Sequence, residues 1–118
     1  MGKAHPPAGA PDSLAFGSYE EFWPFYVSQH AHPRTRLLHL VGTAFALICL
    51  VVALAWQRWW LLAAVPVVAY GLAWIGHFFI ERNRPATFTH PLWSLRGDFR
   101  MFVLMLRGRM HDEVRRWR

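Results

Sequence analysis

Two long apolar runs dominate the chain, and nearly all of its charge lies outside them. The first extends from Leu37 to Trp56 and the second from Trp59 to Ile80, and neither contains Asp, Glu, Lys or Arg. At 1.5 Å rise per residue, each run of about 20 residues spans roughly 30 Å, the thickness of a bilayer core. The polar positions that a surface helix shows every three or four residues are missing. The pattern predicts two transmembrane helices, at about 37–56 and 59–80. Only Gln57 and Arg58 separate them, so they must form a tight antiparallel hairpin. Trp56, Trp59 and Trp60 surround that turn, where an aromatic belt belongs at the interface. Pro66 is expected to kink the second span by removing its bond to the Leu62 carbonyl.

The flanks read differently. Residues 1–17 are rich in Pro, Gly and Ala and read as a flexible tail. A single membrane domain is expected over 18–110. Ser18, followed three residues later by Glu21, resembles a capping box that opens a short helix with Pro24 in its early turns. Pro33 breaks the chain ahead of the first span, Pro85 ends the second, and Pro91 can start another helix at its first turn. From Pro91 to Arg107, Leu92, Leu95, Phe99, Phe102 and Leu106 fall on one stripe, with Arg96, Arg100 and Arg107 elsewhere. This is the pattern of an amphipathic helix lying on a membrane surface. Residues 111–118, HDEVRRWR, read as a charged, solvated tail. The fold class is therefore all-α: an integral membrane helical hairpin flanked by a short N-terminal helix and a C-terminal interfacial helix.

Composition removes several alternatives. With 54% hydrophobic and 17% charged residues the chain is no disordered segment, and the single Cys49 rules out a disulfide framework. Thirteen Lys+Arg face seven Asp+Glu. Arg58 is the sole base on the turn side of the spans, so the positive-inside bias places both termini in the cytoplasm. The other bases suit anionic lipid headgroups. No secretory signal is expected, and MGKAHP lacks the Ser or Thr of a myristoylation site. No recognition helix or aromatic-studded basic sheet points to nucleic acid. The Arg- and Ala-rich usage fits a bacterial inner membrane. Gly42, Ala46, Ala69 and Ala73 could seat close helix contacts, within the hairpin or in a homodimer.

The histidines gather at one depth. His39 begins the first span and His77 lies near the end of the second, so an antiparallel hairpin makes them neighbours at the cytoplasmic edge. His30 and His39 lie on opposite faces of any continuous helix, but a break at Pro33 lets the first helix fold back and aim His30 at His39. His77 and Glu81, four apart, share a face. His30, His39, His77 and Glu81 form a candidate ligand set for non-haem iron, zinc or manganese. His32 and His90 are secondary candidates, and Glu81 has an alternative as an ion-pair partner of Arg82 or Arg84. An ionisable residue within a span is costly and is by default functional.

Two motifs, FWPFYVSQHAHPRTRLLHLVGT and GHFFIERNRPATFTHPLWSLRGDFRM, agree in order and spacing with a known family. From about Tyr19 to Met110 the chain resembles the short bacterial members of the Mpo-type family, named for metabolism of phytosphingosine to odd-numbered fatty acids. The resemblance implies an integral membrane protein whose characterised fungal relative is an iron(II)-dependent dioxygenase. That relative oxidises a 2-hydroxy fatty acid to a fatty acid one carbon shorter, in α-oxidation. The family's first motif matches at His30, Pro33 and His39, with His32 and Thr35 standing where the family has Asn. The second motif matches at Gly76, His77, Glu81, Pro85 and Ala86.

The function expected is metal-dependent membrane lipid oxidation, with iron(II) as cofactor and dioxygen as co-substrate. Arg34, Arg36 or Arg84 could hold the substrate carboxylate in a charge-assisted pair. The rival readings are a structural zinc and a metal-free lipid-binding or scaffold protein.

Overall fold

The computed structural model describes residues 16–118, which contain five helices and no strand. The flexible tail expected at 1–17 lies outside the described residues except for Phe16 and Gly17. The described residues divide into two compact units, one built from residues 16–31 together with Asn83–Arg118, the other from His32–Arg82.

The second of these is the helical hairpin. Helix α2 runs Pro33–Ala55, and α3 runs Leu61–Ile75 and continues as a π-helical turn, Gly76–Glu81. Helix α2 starts four residues before the apolar run, because Pro33 is suited to a first helical position and Arg34 and Arg36 tolerate helix without adding hydrophobicity. At its other end Gln57 takes the left-handed region (φ 53°) and the Arg58 amide donates to the Ala53 carbonyl at 3.1 Å. This Schellman-type closure uses residues 56–60 as the turn, so α3 begins two residues later than the hydrophobic pattern indicates. Pro66 lies inside α3 without interrupting it.

Both hairpin helices are long and apolar enough to cross a membrane, and only 22% and 17% of those segments is buried. A core helix of a soluble domain would be mostly covered. Here Phe45, Ile48, Val51, Leu54, Val67 and Phe79 are exposed, as are Trp56, Trp59 and Trp60 at the turn.

The covered face of α2 carries Thr35, His39, Gly42, Ala46 and Ala53, a repeat of threes and fours that keeps one stripe toward α3. The small residues let the backbones approach: a Cβ built on Gly42 would lie 3.1 Å from the Ala69 carbonyl oxygen. Ala73 is buried in the same seam. Gly42, Ala46 and Ala73 thus serve the hairpin itself.

The first unit has an aromatic core. Helix α1, Tyr19–Ser28, buries Tyr19, Phe22, Trp23, Pro24, Phe25, Tyr26 and Val27. The Ser18 hydroxyl caps it by accepting from the Glu21 amide at 3.3 Å, while the Glu21 carboxylate accepts from the Gly17 amide rather than from Ser18. Full burial of Phe22 and Tyr26 contributes about 1.5–3 kcal/mol for a side chain of this size. After a single 3₁₀ turn, Ala86–Phe88, helix α4 runs Pro91–Leu106 and ends in a Schellman motif at Gly108 (φ 68°), with Arg109 N–H donating to Leu104 O at 2.7 Å.

Helix α4 packs on α1 through Ser94, Gly97 and Met101. The apolar stripe of this helix is left open, with Leu92, Leu95, Phe99 and Leu106 exposed, as an interfacial helix requires. The Tyr26 ring lies directly on Gly97, and the Tyr26 hydroxyl donates to Asp98. Burial pushes the Asp98 carboxyl up to about 7, against that hydrogen bond, which favours the ionised form. Arg96 and Arg100 lie over the Tyr19 and Trp23 rings at 3.9 and 4.0 Å.

Of the residues expected as a charged, solvated tail, 111–118, most are exposed, but the segment is helical and Val114 is buried. Met110–Arg116 is a helix, α5, with Met110 and Val114 buried four residues apart. Glu113 draws it in, accepting from the Trp23 indole at 2.7 Å and the Trp117 indole at 3.2 Å.

A methyl group at Gly97 would lie 2.9 Å from the Tyr26 ring, whereas one at Gly71 meets nothing within 4 Å. Gly97→Ala should cost about 1–3 kcal/mol through overpacking, and Gly71→Ala should be neutral or stabilising by up to about 1 kcal/mol. Thermal unfolding in detergent, followed by circular dichroism, measures both. Equal melting of Gly97→Ala and the parent would contradict the packing described.

Candidate metal centre

At the end of the seam remote from the tryptophan turn, the hairpin brings two imidazoles together. His39 lies one turn beyond Thr35 on the covered face of α2. On the other helix Gly76 precedes His77, and a Cβ at Gly76 would lie 2.8 Å from Thr35 Cγ2. Any larger residue there would hold the helices apart. With glycine in place, His39 Nε2 and His77 Nε2 face one another at 3.3 Å, their rings perpendicular and both buried. Two nitrogens bonded to one ion at about 2.0–2.1 Å, with a bond angle of about 90–110°, stand about 2.8–3.4 Å apart. The pair therefore has the spacing of two ligands of a single metal.

His30 lies in the turn that ends α1. Its Nδ1–H donates to the Tyr26 carbonyl at 2.7 Å, and its ring stacks on the Tyr26 ring at 4.1 Å. A carbonyl can only accept, so the bond fixes the tautomer and leaves Nε2 as the electron-pair donor, the outer-shell arrangement typical of metal-ligating histidine. The turn is secured by the Asn83 amide, which donates to the Gln29 carbonyl at 3.1 Å. His30, His39 and His77, all buried, make a group that could hold a metal ion.

Glu81 does not belong to that group. Expected as a fourth ligand one turn from His77, it instead accepts from the backbone N–H of His32 at 2.7 Å. It thereby satisfies an amide that begins α2, a task the third helical residue, Thr35, is not built to perform. His32 is the N-cap of α2: its Nδ1 accepts from the Arg34 amide at 3.1 Å, and the side chain is exposed. An imidazole here does what the amide of Asn does elsewhere, so His32 is a capping group. His90 has its Nδ1 bonded to the Thr89 hydroxyl at 2.9 Å and its ring stacked flat on Trp93. Of the arginines expected to meet a carboxylate, Arg34 and Arg84 are exposed. Arg36 is buried, within the electrostatic field of Glu81. Tyr26 and Asn83, which orient the His30 turn, carry no motif that marks them in the sequence.

A helical protein with two segments able to cross a bilayer and a buried three-imidazole group is the class these features define. The chain belongs to the Mpo1-like family: the family model described as 2-hydroxy-palmitic acid dioxygenase Mpo1-like matches residues 16–110. Comparison with curated proteins and with solved structures gave no match.

The capping role of His32 is separable from metal binding. His32→Ala should destabilise the protein by about 1 kcal/mol and His32→Asn should restore the loss, since Asn is among the best N-caps. Both should keep the parent's metal content. Metal loss in His32→Asn, measured by elemental analysis, would show that His32 is a ligand.

Proposed function

We propose that this protein is a membrane-embedded, metal-dependent lipid oxygenase in which His30, His39 and His77 hold one iron(II) ion. Its substrate is a 2-hydroxy fatty acid, which dioxygen converts to the acid one carbon shorter. The observation that carries this reading is the buried His39–His77 pair with Nε2 atoms 3.3 Å apart, in a chain of a family whose model is named for a 2-hydroxy-palmitic acid dioxygenase.

The chemistry of the donors supports it. Imidazole suits iron, and three neutral donors leave coordination positions open and the charge of a divalent ion uncompensated. An anionic head group that chelates through carboxylate and hydroxyl complements both. Iron(II), when bound, supplies Lewis-acid polarisation of that head group and a redox centre for dioxygen. The protein's part is orientation: Tyr26 sets the tautomer of His30, and Gly76 allows the approach that aims His77 at His39. Arg36, the buried one of the three arginines, is our candidate for the carboxylate, and the apolar flanks of α2 and α3 suit the acyl chain. The conversion balances without an external reductant: a 2-hydroxy acid and one dioxygen give the shortened acid, carbon dioxide and water.

In this reading α2 and Leu61–Glu81 cross the bilayer with both termini cytoplasmic, since Arg58 alone marks the turn side. Helix α4 lies in the interface, its exposed Leu92, Leu95, Phe99 and Leu106 in the acyl region and its arginines on anionic headgroups. A fluorescent protein fused after Arg118 should fold and fluoresce in bacterial cells. Activity of a periplasmic phosphatase fused there would reverse the orientation.

Protein extracted from membranes in mild detergent under anaerobic conditions should contain one iron per chain. His39→Ala and His77→Ala should weaken iron binding by about 100-fold or more, beyond the 10- to 100-fold that an outer-shell partner costs. Air and 2-hydroxypalmitate should yield the fifteen-carbon acid with dioxygen consumption and no added reductant. Zinc without oxygen consumption would make the site structural. Absence of any transition metal would leave a lipid-binding protein.

A further inference from the structure

Thr35 is fully buried, one helical turn before His39 on the face of α2 that meets α3. Its methyl group is seated against Gly76, beside His77. Its hydroxyl has no hydrogen-bond partner among the described residues. A helical threonine ordinarily gives that hydroxyl to a carbonyl one turn back. Burying it without a partner is unfavourable, and valine would fill nearly the same space without the penalty. The hydroxyl is therefore retained at a cost beside the two imidazoles.

We propose that Thr35 Oγ1 is a binding contact for the head group of the ligand held at His39 and His77, hydrogen-bonding an oxygen of a 2-hydroxy carboxylate. The inference rests on the function proposed above and adds to it a residue that recognises the substrate. Residues four apart on a helix stand about 5–6 Å apart at Cβ, so the Thr35 side chain is the neighbour of the His39 ring on the same face of α2. A hydroxyl can donate to a carboxylate or accept from the 2-hydroxyl, so it serves either oxygen. Threonine is stiff at χ1, so the methyl group seated against Gly76 also holds the hydroxyl in one orientation. Gly76 is thus a positioning residue for Thr35 as well as for His77.

The test uses the full chain loaded with cobalt(II), whose visible absorption reports changes in coordination, titrated with 2-hydroxypalmitate and with palmitate. Thr35→Val should keep the parent's metal stoichiometry and bind 2-hydroxypalmitate about 10- to 100-fold more weakly, as loss of a hydrogen bond to a polar or charged oxygen requires. A larger loss for 2-hydroxypalmitate than for palmitate assigns the contact to the 2-hydroxyl, and equal losses assign it to the carboxylate. Thr35→Ser and Thr35→Ala both lack the methyl and differ only in the hydroxyl, so they decide the matter even if Thr35→Val folds poorly. Ser should bind the hydroxy acid more tightly than Ala. Equal affinities in Ser and Ala would overturn the inference while leaving the metal centre intact. A parent protein that takes up cobalt but gives no spectral response to 2-hydroxypalmitate would overturn the functional reading itself, and this contact with it.

Discussion

The close approach of two helices along a seam of small residues is the constraint on which the rest depends. Gly42, Ala46 and Ala73 bring the backbones of α2 and α3 together, and Gly76 extends that contact to the end of the hairpin. The repeat of buried positions that makes the seam also contains Thr35 and His39. The imidazoles consequently meet because the helices pack, with no loop needed to carry either. His39 and His77 are thus carried by packed helical segments, which hold a side chain more rigidly than loops do. The π-helical turn at Gly76–Glu81 places an irregularity at the residue that bears a candidate ligand, where such turns commonly occur.

Within each unit the sequence uses polar groups for positioning. Glu81 completes the start of α2 by holding the His32 amide, and the His32 ring caps the same helix. Tyr26 accepts the His30 ring proton with its carbonyl and gives its own hydroxyl proton to Asp98. The bonds of Tyr26 satisfy groups that would be costly to bury, and those at His32 cap an exposed helix start. Of these, the bond from the His30 ring to the Tyr26 carbonyl fixes the orientation of a candidate ligand.

The parts of the fold written in periodicity and punctuation are legible in the sequence. Two charge-free runs give the hairpin, Pro33 and Pro91 mark helix starts, and antiparallel pairing brings His39 beside His77. What depends on contacts between distant residues is not legible. Glu81 shares a helix face with His77 in the sequence, but its partner is a backbone amide 49 residues away. The string HDEVRRWR looks solvated because six of its eight residues are charged or titratable. It folds because Trp23 offers Glu113 an indole proton and because Met110 and Val114 fall on one buried edge. Helix α4 divides the same way: its exposed apolar stripe is legible as an interfacial pattern, whereas its packed face is made by Met101 with Ser94 and Gly97, two residues that carry no hydrophobic signal.

X-ray absorption at the iron edge of the reconstituted protein addresses the central claim most directly. Three histidine ligands require outer-shell scattering from three imidazole rings around one iron, falling to two rings in His77→Ala. An iron environment of light oxygen donors without imidazole scattering, unchanged in that variant, would contradict the account.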